Sequence, residues 1–172
     1  MTKPILVKCI TVGDGGVGKT TLLHRYVEGH FLAETRITLG VDFFLKEVKV
    51  ERKKMLLQIW DFGGQEHFRP LLQNYALGAR GALLLFDLTR PSSLEQIEQW
   101  VNICRKDNPD IPILFLGAKL DLKDSISIDD AYASTFIEQY NFFNYLKISS
   151  KTGENVNLAF KLLAKEILKS LD

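Results

Sequence analysis

Gly13-Asp14-Gly15-Gly16-Val17-Gly18-Lys19-Thr20 is the stretch on which the fold turns. Before it runs Ile5-Leu6-Val7-Lys8-Cys9-Ile10-Thr11-Val12, a β-rich apolar run that reads as a buried strand. After it, Lys19 to Glu28 carries Leu22, Leu23, Tyr26 and Val27 at helical spacing, and Gly29 ends the pattern. The spacing G-x-x-x-x-G-K-[ST] between a strand and a helix lets successive backbone N–H groups turn inward on phosphate oxygens. The positive end of the helix assists them. Lys19 supplies a point charge to β- and γ-phosphates, and the Thr20 hydroxyl stands where it ligates Mg²⁺. Asp14, Gly15, Gly16, Val17, Gly18 and Thr21 complete the predicted phosphate-binding set. The motif points to a nucleoside triphosphate and leaves the base open.

The same rules carry outward along the chain. Val41 to Val50 and Met55 to Trp60 are β-rich. The charged turn Glu51-Arg52-Lys53-Lys54 between them predicts an antiparallel hairpin with a solvated tip rather than a phosphate patch. Gly81-Ala82-Leu83-Leu84-Leu85-Phe86 and Ile111-Pro112-Ile113-Leu114-Phe115-Leu116 lack polar alternation, as parallel strands covered on both faces do. A helix follows each. The first starts near Pro91 and Ser92, with Glu95 spaced to close a capping box, and turns Leu94, Ile97, Val101 and Cys104 to one side. Trp100 on that helix reads as a core residue between helix and sheet. Ser127, Asp129 and Asp130 announce the second, which runs to about Gln139. Asn144 to Ile148 is a last strand. Val156, Phe160, Leu163 and Ile167 then form the buried face of a final helix, opposite Lys161, Lys165 and Lys169. The order β-α-β-β-α-β-α-β-α-β-α predicts one α/β domain over residues 1–172, of the P-loop NTPase kind. Its sheet is doubly wound and mostly parallel, with about six strands, one antiparallel edge strand and helices on both faces.

Composition narrows the class. Hydrophobic residues at 46% and charged residues at 25% of 172 suit a folded domain, which excludes intrinsic disorder, collagen-like repeats and a disulfide scaffold. Lys and Arg number 22 against 21 Asp and Glu, so no excess charge advertises nucleic acid or an anionic membrane. Cys9 and Cys104 read as free buried thiols, and His24, His30 and His67 as surface residues without metal-ligand spacing. The longest apolar stretch, Ala82 to Phe86, is too short to cross a bilayer, and Met1-Thr2-Lys3-Pro4 leads straight into a strand without a signal peptide. A soluble, cytoplasmic, monomeric domain is expected.

Three further segments fall at later strand ends. Trp60-Asp61-Phe62-Gly63-Gly64-Gln65-Glu66 offers an acid opposite Thr20 for a metal-bound water, an N–H at Gly64 for the γ-phosphate, and Gln65 to orient a hydrolytic water. Leu116-Gly117-Ala118-Lys119-Leu120-Asp121 and Ile148-Ser149-Ser150-Lys151-Thr152-Gly153 close the next two. Together with Thr38-Leu39-Gly40-Val41-Asp42-Phe43, these segments resemble a small GTPase of the Ras superfamily, most of all its Rab branch, from Ile5 to Leu168. The resemblance implies GTP and GDP as nucleotides, Mg²⁺ as cofactor, and slow hydrolysis. Switch I would span about 32–41 and switch II about 61–75. Lys19, Thr38, Gly64 and Gln65 would form the catalytic set. Thr20, Thr38 and, through water, Asp61 would hold the metal. Phe31 and the Lys119 and Lys151 stems would flank guanine, and Asp121 would accept from its N1–H and exocyclic amine. The loop Ser149-Ser150-Lys151 would reach O6 through the Ser150 N–H. Adenine, an acceptor at N1, would repel Asp121. Effectors, an exchange factor and an activating protein are the implied partners, with Phe43, Trp60 and Tyr75 either presented to them or simply buried.

Several positions depart from that pattern. Ala118 stands where the family has asparagine and removes a side chain that would brace the base, which implies weaker GDP binding. Gly63-Gly64 resembles the Arf branch. Thr35 replaces an aromatic common in switch I of the Ras branch, and Arg36 reads as a solvated loop charge rather than a catalytic finger. The sequence ends at Ser170-Leu171-Asp172 without prenylated cysteines, and Thr2 cannot carry myristate, so it holds no lipidation signal: either a lipidated tail lies outside it or the protein carries no lipid. A nucleotide-dependent binding module without appreciable hydrolysis is the alternative reading. A P-loop kinase conflicts with Asp121.

Overall fold

The computed structural model describes residues 2–32 and 40–172. Six strands form one sheet: β1 (Ile5–Val12), β2 (Val41–Val50), β3 (Lys53–Phe62), β4 (Gly81–Asp87), β5 (Ile113–Ala118) and β6 (Asn144–Lys147). Five helices join them: α1 (Lys19–Glu28), α2 (Arg69–Tyr75), α3 (Ile97–Arg105), α4 (Asp130–Tyr140) and α5 (Val156–Leu171). The strand order is β2-β3-β1-β4-β5-β6. Edge strand β2 pairs antiparallel with β3, and the other neighbours run parallel. This is the P-loop NTPase architecture expected from the strand patterns.

The unbroken apolar strands serve two cores at once, because alternate residues face opposite sides. Leu83 and Leu85 of β4 join Leu114, Leu116, Leu22, Phe160, Leu163 and Ile167 under α1 and α5. Ala82, Leu84 and Phe86 join Ile113, Phe115, Leu72 and Trp100 under α2, α3 and α4. Each fully buried large side chain contributes about 1.5–3 kcal/mol. Tyr26 of α1 stacks flat on Phe160 of α5, ring centroids 3.7 Å apart. A Cβ on Gly81 would meet Ile167 Cδ1 at 2.6 Å, so α5 lies almost on the backbone of β4. Cys9 and Cys104 are free and buried. Among the described residues, no helix is long and apolar enough to cross a membrane.

Local boundaries differ from the expected ones in three places. Lys53 and Lys54 belong to β3, and Val50 pairs with Lys53, so the hairpin loop is the two residues Glu51 and Arg52. The loop can be that tight because Glu51 adopts a left-handed backbone, φ +55°. The capping box of Ser92 and Glu95 does not form. Instead Pro91–Leu94 is a 3₁₀ turn, and the buried Ser93 hydroxyl accepts from Asp87 N (2.9 Å) and donates to Arg90 O (2.7 Å), delaying α3 to Ile97. β5 begins at Ile113 because Pro112 has no N–H to donate. Of the three residues that announce α4, Asp129 is the cap, its carboxylate accepting from Tyr132 N at 2.8 Å.

Candidate functional site

The loop from Gly13 to Gly18 leaves β1 at its carboxyl end and enters α1, in the crevice where such sheets bind ligands. Gly13 has φ +145°, and a Cβ there would run into the carbonyl oxygen of Leu85, so no other residue fits. Gly15, by contrast, faces open space. Lys19 is 6% exposed, and its ammonium donates to the carbonyls of Gly13 and Asp14, each at 2.7 Å. Burial lowers the Lys19 pKa to about 8, against the pull of the Asp61 and Asp14 carboxylates. Thr20 Oγ1 donates to Asp61 Oδ2 at 2.5 Å. A hydroxyl and a buried carboxylate side by side are hard oxygen donors of the kind that suits Mg²⁺.

Asp61 and the residues after it come from the carboxyl end of β3. Gly63 N donates to Gly40 O at 2.7 Å, tying the two switch-like segments together. Gly64 packs on the phosphate loop so closely that a Cβ would overlap Gly15 N and approach Asp14 C at 2.7 Å. Gln65 caps a 3₁₀ turn, Glu66–Phe68, and its Oε1 is buried without a hydrogen-bond partner among the described residues.

The second half of the site is a cleft of about 310 Å³ beside the loop. Gly16, Val17, Gly18 and Thr21 form one wall, Phe31 and Leu32 a second, and Ala118, Lys119, Asp121, Leu122, Ser150 and Lys151 the third. Ser149 is behind this surface, fully buried: its hydroxyl donates to Asp121 Oδ1 at 2.8 Å and accepts from Thr152 N at 3.1 Å. It aims Asp121 and does not line the cleft. Lys119 donates to Gly16 O at 3.0 Å and pairs with Asp87 Oδ2 at 2.8 Å. Burial works against charge on Asp87, but hydrogen bonds from Lys119 and Thr89 outweigh it and hold the carboxyl below the usual range.

The site residues read from the sequence are thus brought together at the carboxyl ends of β1, β3, β5 and β6. Thr38, with Thr35 and Arg36, lies outside the described residues. Asp14 is in the loop, but its carboxylate is turned away, accepting from Trp100 Nε1 at 3.1 Å. Trp100, expected as plain core, is therefore both core and loop support. Sequence reasoning also missed Asp87, Arg90 and Arg69. Asp87 lies at the carboxyl end of a buried strand, where Asp61 also lies, and that signal was available. Arg90, which donates to Gly15 O at 2.8 Å, and Arg69 gave none.

Comparison with known proteins agrees with this geometry. A model of the Ras family matches residues 8–169. The chain is 35% identical over 164 residues to Ras-related protein Rab-19 of Xenopus laevis, covering 95% of this chain and 77% of that protein. It is 36% identical over 168 residues to Ras-related protein Rab-2B of Dictyostelium discoideum, with coverage of 97% and 83%. To Ras-related protein Rab-8B of Homo sapiens it is 36% identical over 172 residues, with coverage of 99% and 83%. Matched along nearly its whole length by the family model and by such relatives, the chain belongs to the Ras family and is a Rab-like small GTPase, a GTP-binding switch protein.

Proposed function

We propose that the protein binds Mg²⁺·GTP and Mg²⁺·GDP, hydrolyses GTP slowly, and cycles switch I (about 32–41) and switch II (about 61–75) to control partner binding. The observation that carries this reading is the convergence of Lys19, the Thr20–Asp61 pair and Gly64 from separate segments onto one loop. Lys19 meets the β- and γ-phosphates. Thr20, Thr38 and, through water, Asp61 would hold Mg²⁺, which neutralises charge on the phosphate oxygens. Gly64 offers its N–H to the γ-phosphate, and Oε1 of Gln65, without a hydrogen-bond partner among the described residues, accepts from the attacking water. Turnover is slow because part of the charge on the transferring phosphoryl group awaits a partner's cation.

Guanine is selected by Asp121, which Ser149 holds in place, with Phe31 and the Lys119 and Lys151 stems around the ring and the Ser150 N–H on O6. Ala118 offers the base a methyl group, and the Lys119 bridge between Gly16 O and Asp87 becomes the main tie from base cleft to phosphate loop. The Gly63-Gly64 pair, as in the Arf branch, loosens the backbone at the head of switch II. Effectors dock on Phe43, Trp60 and Tyr75, whose rings touch at 5.4 and 6.0 Å and leave Phe43 and Tyr75 exposed. Lys8 supports that surface from below, its ammonium 4.6 Å from the Trp60 ring centroid. Exchange and activating proteins are further partners, and the domain works as a cytoplasmic monomer that reaches membranes through partners or through a tail outside residues 1–172.

Single-turnover phosphate release tests the reading. GTP but not ATP should be turned over, and Gln65→Leu should slow release tenfold or more, about 1.4 kcal/mol in the barrier, with GDP still bound. A chain that holds GTP without releasing phosphate would be a nucleotide-dependent binding module. Equal rates in wild type and variant would remove Gln65 from its role.

A further inference from the structure

Arg69, the first residue of α2, is 8% exposed, unusual for a cation outside the phosphate loop. Its guanidinium meets three parts of the chain. Nη1 donates to Gln99 Oε1 on α3. Nη2 donates to Gly64 O at 3.2 Å and lies 3.7 Å from Asp14 Oδ1 on the phosphate loop. The guanidinium carbon is 4.6 Å from the centroid of the Trp100 ring, and Trp100 Nε1 donates to the same Asp14 oxygen. Arginine's rigid planar fork can serve several acceptors and an aromatic face together, which a lysine ammonium cannot.

The consequence lies at Gly64. Its carbonyl is held by Arg69, while the space a Cβ on it would need is filled by the Asp14–Gly15 backbone of the phosphate loop. The Gly64–Gln65 peptide is therefore oriented by a side chain of α2 that is tied to α3 and the phosphate loop. We infer that Arg69 is a positioning residue for hydrolysis: it anchors the Gly64–Gln65 peptide against the phosphate loop through α3, and Gln99 is its anchor point. This inference rests on the GTPase reading above. Exposed ion pairs are worth little, but a buried, multiply bonded guanidinium is directional, so its loss changes geometry as well as charge.

The test is a double-mutant cycle on single-turnover GTP hydrolysis, with GDP affinity and thermal unfolding measured alongside. Arg69→Ala is expected to slow hydrolysis about tenfold to a hundredfold while GDP affinity changes less than about threefold. Arg69→Lys should fail to restore the rate, because a lysine cannot reach Gly64 O and Gln99 together. Gln99→Ala alone should slow hydrolysis by a smaller factor and add nothing in the Arg69→Ala background. Wild-type rates in Arg69→Ala or Arg69→Lys, or additive effects of Arg69 and Gln99, would overturn the inference. If Arg69→Ala does not fold, Arg69→Lys and Gln99→Ala decide it. A wild-type chain without turnover would instead overturn the GTPase reading, and the positioning role with it.

Discussion

Asp87 ends β4 almost wholly buried, paired with a half-buried Lys119 at 2.8 Å and bonded by the Thr89 N–H and hydroxyl at 2.8 and 2.6 Å. Because Lys119 also grips Gly16 O, one carboxylate indirectly steadies the phosphate loop. Hydrogen bonds from Lys119 and Thr89 hold its pKa below the usual carboxylate range, so the pair's contribution is present above the unfolded carboxyl pKa and fades as pH falls through the lower folded value. Asp87→Asn should therefore cost about 1–2 kcal/mol at pH 7, a loss moderated by the exposure of Lys119. The gap between variant and wild type should narrow as pH falls below about 4. Denaturant unfolding of both proteins at pH 7 and at pH 3.5 checks this, and a gap of constant size would show that Lys119 does not depend on the charge.

At the scale of elements, switch II packs directly on the phosphate loop at a glycine, Gly64. A methyl group on Gly64 would strike Gly15 N and the Asp14 carbonyl carbon, and backbone on both sides cannot give way as a flexible side chain can. Gly64→Ala should push the start of switch II off the loop, breaking the bond from Arg69 Nη2 to Gly64 O. Expected is a tenfold or greater loss of single-turnover GTP hydrolysis, with the melting temperature of the GDP complex changed by a few degrees at most. A fully active Gly64→Ala protein would mean that the contact is incidental. The same element shows what was hidden at the level of sequence. Gly64 and Gln65 were readable because they follow a strand at a fixed spacing from Asp61. Arg69 was not, because its partners Asp14 and Gln99 lie on two other elements and meet it only once the sheet is wound.

Across the whole molecule, nucleotide should act as a structural member, since in the proposed function it bridges the phosphate loop and the base cleft. A ligand at a thousand times its Kd adds about 4 kcal/mol to unfolding free energy, so removing GDP should lower the melting temperature markedly. At one fixed GDP concentration, Ala118→Asn should gain more from GDP than wild type does, if asparagine supplies the missing brace. An equal gain would mean that the Lys119 bridge already does that work. The doubly wound, mostly parallel sheet was legible because uninterrupted apolar strands call for helices on both faces, and the phosphate loop because its glycines are spaced by backbone need; the strand order emerges only in the folded chain. The capping of α3 was misread, since Ser92 and Ser93 look alike until burial selects Ser93. The position of α5 carries a last consequence. Its Leu163 and Ile167 cover β4 at the distance of Gly81, yet they follow all six strands in the chain. A ribosome adding roughly 5–20 residues per second therefore leaves the part of that sheet face that α5 covers bare for on the order of seconds. A nascent chain at that stage has a sticky surface, and chaperones that recognise exposed leucine and isoleucine have their opening then.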